Sequence, residues 1–250
     1  LGSYKQENYI LTADQPIDTS IEFIVNDHTL NKNGNYLKFL SSVESTIQLK
    51  DTTARTTFSK ANLTNFSLDF SVGELALGKY GYQCDSLSVS EGNSLIDLDL
   101  DSSKFNIFRP QDITLTTNLT EGINSTDYPI QSASISVGIE RRPTIRVGER
   151  GAKRRYPVLP AQGSLSISIL KNKVEETLDL SSLVAKKGNF TFVISETALG
   201  SASANPNLNV VVHDCFLNSV SQSHSLDGNA SLDFSYTFPI SNDAIEYYFS

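Results

Sequence analysis

The chain has 250 residues, 39% of them hydrophobic, and carries 28 acids against 20 Lys and Arg for a formal net charge of −8. That length accommodates one large β domain or two small ones, each able to bury a core. The acidic balance disfavours general coating of nucleic acid, whose phosphates require a basic surface. No apolar run approaches the ~20 residues of a membrane helix.

The sequence opens Leu-Gly-Ser and contains no methionine, so the native chain is expected to extend further upstream, where any leader would be out of view. From there strand signals dominate. Phe66, Leu68, Phe70 and Val72 alternate with Ser67, Asp69 and Ser71. Ala133, Ile135, Val137 and Ile139 alternate with serines and Gly138, and Leu165, Ile167 and Ile169 repeat the pattern, as do Leu232, Phe234, Tyr236 and Phe238. Period two with a polar opposite face predicts half-buried antiparallel strands. One short helix is expected at Glu175–Lys187, with Leu178, Leu180, Leu183 and Val184 apolar, Lys186 and Lys187 in the last turn and Gly188 as the stop.

Several of these segments match one another. Lys32–Leu40 (KNGNYLKFL) resembles Lys186–Ile194 (KKGNFTFVI), 154 residues on. The same offset places Leu63 on Leu217, Tyr80 on Phe234, Tyr82 on Tyr236 and Cys84 on Phe238. Pro16–Val25 resembles Pro160–Ile169 at an offset of 144, the difference being a ten-residue insertion near Lys171–Leu180. A constant offset over separated segments predicts an internal duplication: a first β domain over 1–94, a polar connector with some strand character over 95–127, and a second β domain over 128–250. In this register the first copy lacks a counterpart of the strand Ser132–Ile139.

Signatures of enzyme chemistry are not found. The sequence holds no Gly-x-Ser-x-Gly elbow, phosphate-binding Walker loop or HExxH helix, and neither an enzymatic activity nor a cofactor is expected. His213-Asp214-Cys215 could supply metal ligands, but no second cluster completes a site, and His28 and His224 stand apart. Asp97, Asp99 and Asp101 mimic the start of a calcium loop, yet Ser102 stands where its glycine belongs and Phe108 where its glutamate belongs. An acidic strand face is the better reading. Cys84 and Cys215 lie in different halves without CxxC spacing, so buried thiols are expected ahead of a disulfide. Six Asn-x-Ser/Thr sequons in a chain this rich in Asn, Ser and Thr are expected by chance and are not read as glycosylation sites.

The charge pattern does single out one stretch. Arg141–Arg155 contains Arg141, Arg142, Arg146, Arg150, Lys153, Arg154 and Arg155 against one acid, Glu149, a net +6 that leaves −14 on the remainder. A nucleic-acid patch would interleave stacking aromatics, and Tyr156 alone is near. Gly148 and Gly151 form a GxxG without the strand–helix setting of a phosphate loop. A docking loop that meets acids of another copy, such as Asp97, Asp99 and Asp101, accounts for the density better, because Arg pairs bidentately with carboxylates and such pairs set register. A solvated basic turn is the plainer alternative.

The stretch SASISVGIERRPTIRVGERGAKRRYPVLPAQGSLSISI resembles tail tube-like structural proteins of long-tailed bacteriophages. Glu140–Arg142, Val147-Gly148-Glu149, Arg154-Arg155-Tyr156 and Leu159-Pro160 stand where that family has its strand-end, Gly, basic–aromatic and aromatic-Pro elements. Leu159 replaces the expected aromatic, and Lys153-Arg154 is more basic than the pattern. The resemblance covers about 40 residues closely and, through the repeat, most of the chain loosely. It implies a mainly β chain of two similar β-sandwich or barrel-like domains, each with at most one short helix. It implies a virion structural protein that associates with itself and with other tail proteins. Rings of three duplicated subunits, pseudo-sixfold, would stack into a tube through which DNA passes transiently, without membrane contact. A baseplate hub or distal tail ring with the same domain pair is the alternative. A secreted carbohydrate-binding or adhesive sandwich is disfavoured by the absence of Trp.

Overall fold

The computed structural model describes residues 16–25, 39–41, 44–50, 54–91, 110–118, 129–145, 152–170, 187–196, 207–224 and 230–249. The chain is mainly β. The elements are β1 (Ile17–Ile24), β2 (Ser45–Lys50), β3 (Ala54–Ser71), β4 (Leu77–Cys84), β5 (Ser86–Glu91), β6 (Pro110–Thr117), β7 (Ile130–Gly138), β8 (Arg141–Thr144), β9 (Arg154–Pro157), β10 (Gln162–Leu170), β11 (Lys187–Glu196), β12 (Asn207–His224), β13 (Ala230–Pro239) and β14 (Ile245–Phe249). Twelve strands form one antiparallel sheet along β1-β4-β3-β7-β10-β13-β12-β11-β6, with β14 beside β12 and with β2 and β5 beside β3; β8 and β9 form a separate hairpin. No helix occurs among the described residues. Most of the expected helix Glu175–Lys187 lies outside them, and its last residue, Lys187, opens β11. The connector 95–127 is less of a linker than its polarity suggests, because Pro110–Thr117 forms β6 and pairs with β11.

Two strands organise the rest. β3 and β12 are each 18 residues long, against the ~5–6 of an ordinary strand, and each serves two sets of neighbours. The first part of β3 pairs with β2 and β5, its second part with β4 and β7. The first part of β12 pairs with β11 and β14, its second part with β13. The change of partners falls at Lys60 and Asp214, whose φ angles of 52° and 59° are left-handed, and a register shift follows each, between Leu63 and Asn65 and between Leu217 and Ser219. A left-handed non-glycine residue costs about 1–2 kcal/mol, and both are tied down. Lys60 pairs with Asp85 at 3.3 Å and donates to the Ala152 carbonyl at 3.2 Å. Asp214 pairs with Lys187 at 2.7 Å, and its N–H donates to Asn189 Oδ1 at 3.0 Å.

Lys60 and Asp214 are 154 residues apart, as are the two register shifts and the partners Phe66–Tyr80 and Val220–Phe234. These positions agree with the offset read from the sequence. One of the sequence matches shifts in space. Ile21 faces Tyr80 and Ile167 faces Phe234, so β1 and β10 correspond at 146 and not 144; a two-residue slip leaves every side chain on its face. The strand that lies beside β3 as β11 lies beside β12 is β2, and residues 32–38 of the matched segment Lys32–Leu40 lie outside the described residues. Of that segment Phe39 and Leu40 are described, in a turn. Phe39 is buried with its ring 6.0 Å from Phe66, closing the core instead of extending the sheet.

Alternation delivers the core. Across the sheet Phe70, Ala133, Ile167, Phe234 and Val220 share one row, and Leu68, Ile135, Leu165, Tyr236 and Leu217 the next. In these rows the members from β3 to β13 are at most 2% exposed, and one apolar cluster spans both halves of the chain. Cys84 and Cys215 are buried free thiols, and burial pushes them up to about 11 and about 12.

Two glycines admit an aromatic ring over the backbone. A Cβ on Gly163 would collide with the ring of Phe238, and one on Gly78 with the ring of Phe23. Phe238 is 1% exposed and boxed in, whereas Phe23 is half-buried on an outer strand and can swing outward. Gly163→Ala should therefore destabilise by about 1–3 kcal/mol and Gly78→Ala by clearly less; urea unfolding of the two variants checks the order.

Candidate functional site

Two surfaces stand out, and the basic stretch builds the first. β7 runs along β3, and where it ends the Ile139 N–H donates to the Thr64 carbonyl at 2.7 Å. The chain then turns into β8, pairing with β9 so that Arg141 faces Pro157, Arg142 faces Tyr156, Pro143 faces Arg155 and Thr144 faces Arg154. Period two splits the adjacent arginines between opposite faces.

Arg141 and Arg155 point into the protein, 7% and 3% exposed. Arg141 Nε donates to the Leu63 carbonyl at 2.7 Å, Nη2 to that of Phe39 at 2.9 Å, and Nη1 to those of Ser41 at 2.9 Å and Arg155 at 3.4 Å. Burial pulls this guanidinium below its ordinary range, and arginine side chains stay charged in proteins. Arg155 forms an ion pair with Asp85, which Lys60 also approaches. These two arginines are engaged within their own chain. The expectation that the whole stretch faces another subunit does not hold for them.

The opposite face of the hairpin is open. Arg142, Thr144, Lys153 and Arg154 are exposed, and beside them Ile145 is 53% and Tyr156 46% exposed. Arg142 approaches Glu140 at 3.6 Å, both side chains solvated, a contact that contributes little. Arg146 and Arg150 lie outside the described residues, as do Asp97, Asp99 and Asp101. His213 lies within 3.4 Å of Glu246, and among the described residues no group of three or more His, Cys, Asp and Glu could hold a metal.

The second surface was not singled out in the sequence, although its alternation was. The solvent face of the main sheet is lined by small hydroxyls. One row reads Ser71, Ser132, Ser168, Asp233, Ser221, another Asp69, Ser134, Ser166, Ser235, Ser219, and a third Ser67, Ser136, Ser164, Thr237. Ser134 donates to Asp69 and Ser168 to Asp233. On β1 and β4 the face continues through Asp18 with Gln83, Ser20 with Gly81, and Glu22 with Lys79. Lys79 is the one cation in these rows among the described residues, and Glu22 neutralises it at 2.7 Å, a contact that holds the carboxyl below its usual range. Ile24 with Leu77, and Phe216 opposite Thr237, add exposed apolar side chains at its margins, and across the rows between them the face offers hydroxyls and net negative charge.

No protein-family model matches this chain, and no curated protein matches it.

The buried pairing yields a sharp test. Asp85→Asn strands Arg155 in a 3%-exposed site and should destabilise by about 3–5 kcal/mol. Replacing both partners, Asp85→Asn with Arg155→Met, should recover much of that loss, because no uncompensated charge remains; chemical denaturation of the single and double variants measures it.

Proposed function

We propose that this protein is a structural component of a virion that self-assembles into stacked rings forming a tail tube, with the hydroxyl face of its sheet turned toward passing DNA. One observation carries the reading: a solvent face spanning seven strands that combines serines with Asp18, Glu22, Asp69 and Asp233 and has no unneutralised cation among its described residues. A polyanion in transit binds where Lys and Arg release its counterions and slides where they are missing. Serine hydroxyls hydrate well, and the carboxylates repel phosphate. The positional agreement at 154 residues supports the internal duplication, and a duplicated chain suits three subunits presenting six similar units per ring. The resemblance of the 132–169 region to tail tube-like proteins, with its Leu159-Pro160 element, points the same way.

Electron microscopy of the purified chain should show tubes or rings. Assembled wild-type protein should not retain duplex DNA at physiological ionic strength, and the variant Ser134→Lys/Ser166→Lys/Ser235→Lys should retain it in a salt-sensitive way. Protein that stays monomeric at every concentration, or wild-type assemblies that bind DNA tightly, would count against the proposal.

The open face of the hairpin is the stacking contact in this scheme. The three described exposed cations of the hairpin region are Arg142, Lys153 and Arg154. Reversing them to Glu should leave circular dichroism unchanged and abolish stacking beyond single rings, whereas normal-length tubes from that variant would return the loop to a solvated turn. Exposed pairs contribute about 0–1 kcal/mol each and weaken with salt, so tube length should also fall as ionic strength rises.

A further inference from the structure

The hairpin leaves the second half of the chain after β7 and returns to it at β10, yet among the described strands β8 and β9 pair with each other and not with the main sheet. Its polar ties run to the first half. The Ile139 N–H donates to the Thr64 carbonyl at 2.7 Å. Arg141 donates to the carbonyls of Phe39, Ser41 and Leu63. The Ala152 carbonyl accepts from Lys60 at 3.2 Å, and Arg155 pairs with Asp85. Asp85 is itself a junction. It is the single residue between β4 and β5, and its N–H donates to the Ser59 carbonyl at 3.1 Å. Its carboxylate takes Lys60, the left-handed residue at which β3 changes partners, as well as Arg155. The matching bend of β12 is braced within its own half, by Lys187 and Asn189 of β11. The bend of β3 and the inner face of the hairpin therefore share one carboxylate.

Strand parity carries that constraint outward. Arg141 and Arg155 occupy the inner face, while Arg142 and Arg154 stand on the opposite face of the same two strands, with Tyr156 facing Arg142. A ribbon of four residues per strand turns as one piece, so whatever fixes Arg155 also fixes where Arg142 and Arg154 point. We infer that Asp85 is a positioning residue for the open face of the hairpin. A carboxylate of the first half, acting through Arg155, sets the pose in which Arg142, Lys153 and Arg154 of the second half meet another copy of the chain. The contact face is thereby presented only when the two halves have docked on each other, which keeps incompletely folded chains out of the assembly.

This inference rests on the stacking role given to the hairpin in the proposed function. The test uses the full chain carrying Asp85→Asn with Arg155→Met, a pair that strands no buried charge and so keeps the sheet folded while the tie is lost. Arg155→Lys, which retains a cation for Asp85, is the conservative control. Hydrogen exchange read by mass spectrometry reports the pose, and sedimentation with electron microscopy reports stacking. In the double variant the amides of β8 and β9 should exchange about tenfold faster, with those of β10 unchanged as the reference, and assembly should stop at single rings although Arg142, Lys153 and Arg154 are all present. Arg155→Lys should preserve both slow exchange and tubes. Unchanged hairpin exchange in the double variant overturns the inference, as do normal-length tubes formed despite faster exchange. Arg155→Lys behaving like the double variant overturns the ion pair as the tie. A wild-type chain that is monomeric at every concentration overturns the proposed function and with it the docking role of the pose, while the exchange comparison still decides whether Asp85 holds the hairpin.

Discussion

The antiparallel pairing of β3 with β7 is the interaction on which the rest of this structure depends. It joins a sheet built from the first part of the chain to one built from the second, and it merges two apolar faces into one cluster. It also aims the hairpin. Because β7 is in register with β3, its continuation reaches Thr64 and Leu63, and Arg141 arrives where four backbone carbonyls converge. A guanidinium has donors in a planar fork, so one side chain ties the Phe39–Ser41 turn, β3 and β9 together. Asp85 with Arg155 and Lys60 adds a second brace between the halves. These are buried charges, and what they add is geometry: removing one partner is costly although the intact pair contributes little net stability.

The long strands pose a separate physical problem. An 18-residue strand that keeps a single set of neighbours would make a wide, flat sheet with long edges, a liability for aggregation. Here a left-handed residue and a register shift divide each long strand, so that one strand serves two packing environments. In the second half the arm folds inward, with Phe190 against Tyr236 at 4.6 Å. In the first half the matching arm keeps Leu49, Leu87 and Val89 exposed at 42%, 47% and 61%. The two long strands thus divide in the same way, while the parts of the sheet beside their first portions differ in how much apolar surface stays exposed.

Much of this plan was legible in the sequence. The alternating runs at Phe66–Val72, Ala133–Ile139, Leu165–Ile169 and Leu232–Phe238 all lie on strands of the main sheet, apart from the turn and loop residues Val72 and Ile139 at their ends, and the apolar members through Phe70, Val137, Ile169 and Phe238 are buried. The offset through Leu63, Tyr80 and Leu217 reappears in strand register. The basic stretch was visible as a charge anomaly but was misread in part. Adjacent arginines at 141–142 and 154–155 mark strand alternation, which sends one of each pair inward; charge counting treats all seven alike.

Period-two alternation by itself determined that this protein is mainly β, which side chains form its core and that serines line the opposite face, because a strand's two faces are set by residue parity alone. Which strands become neighbours was decided only in three dimensions. β3 meets β7 across an interval that contains the connector, β6 joins the second half, and Asp85 comes to Arg155 although the two are distant in the chain. Those pairings depend on register, on the bends at Lys60 and Asp214, and on which buried charge finds a partner. They are properties of the assembled sheet, and no local stretch of residues carries them.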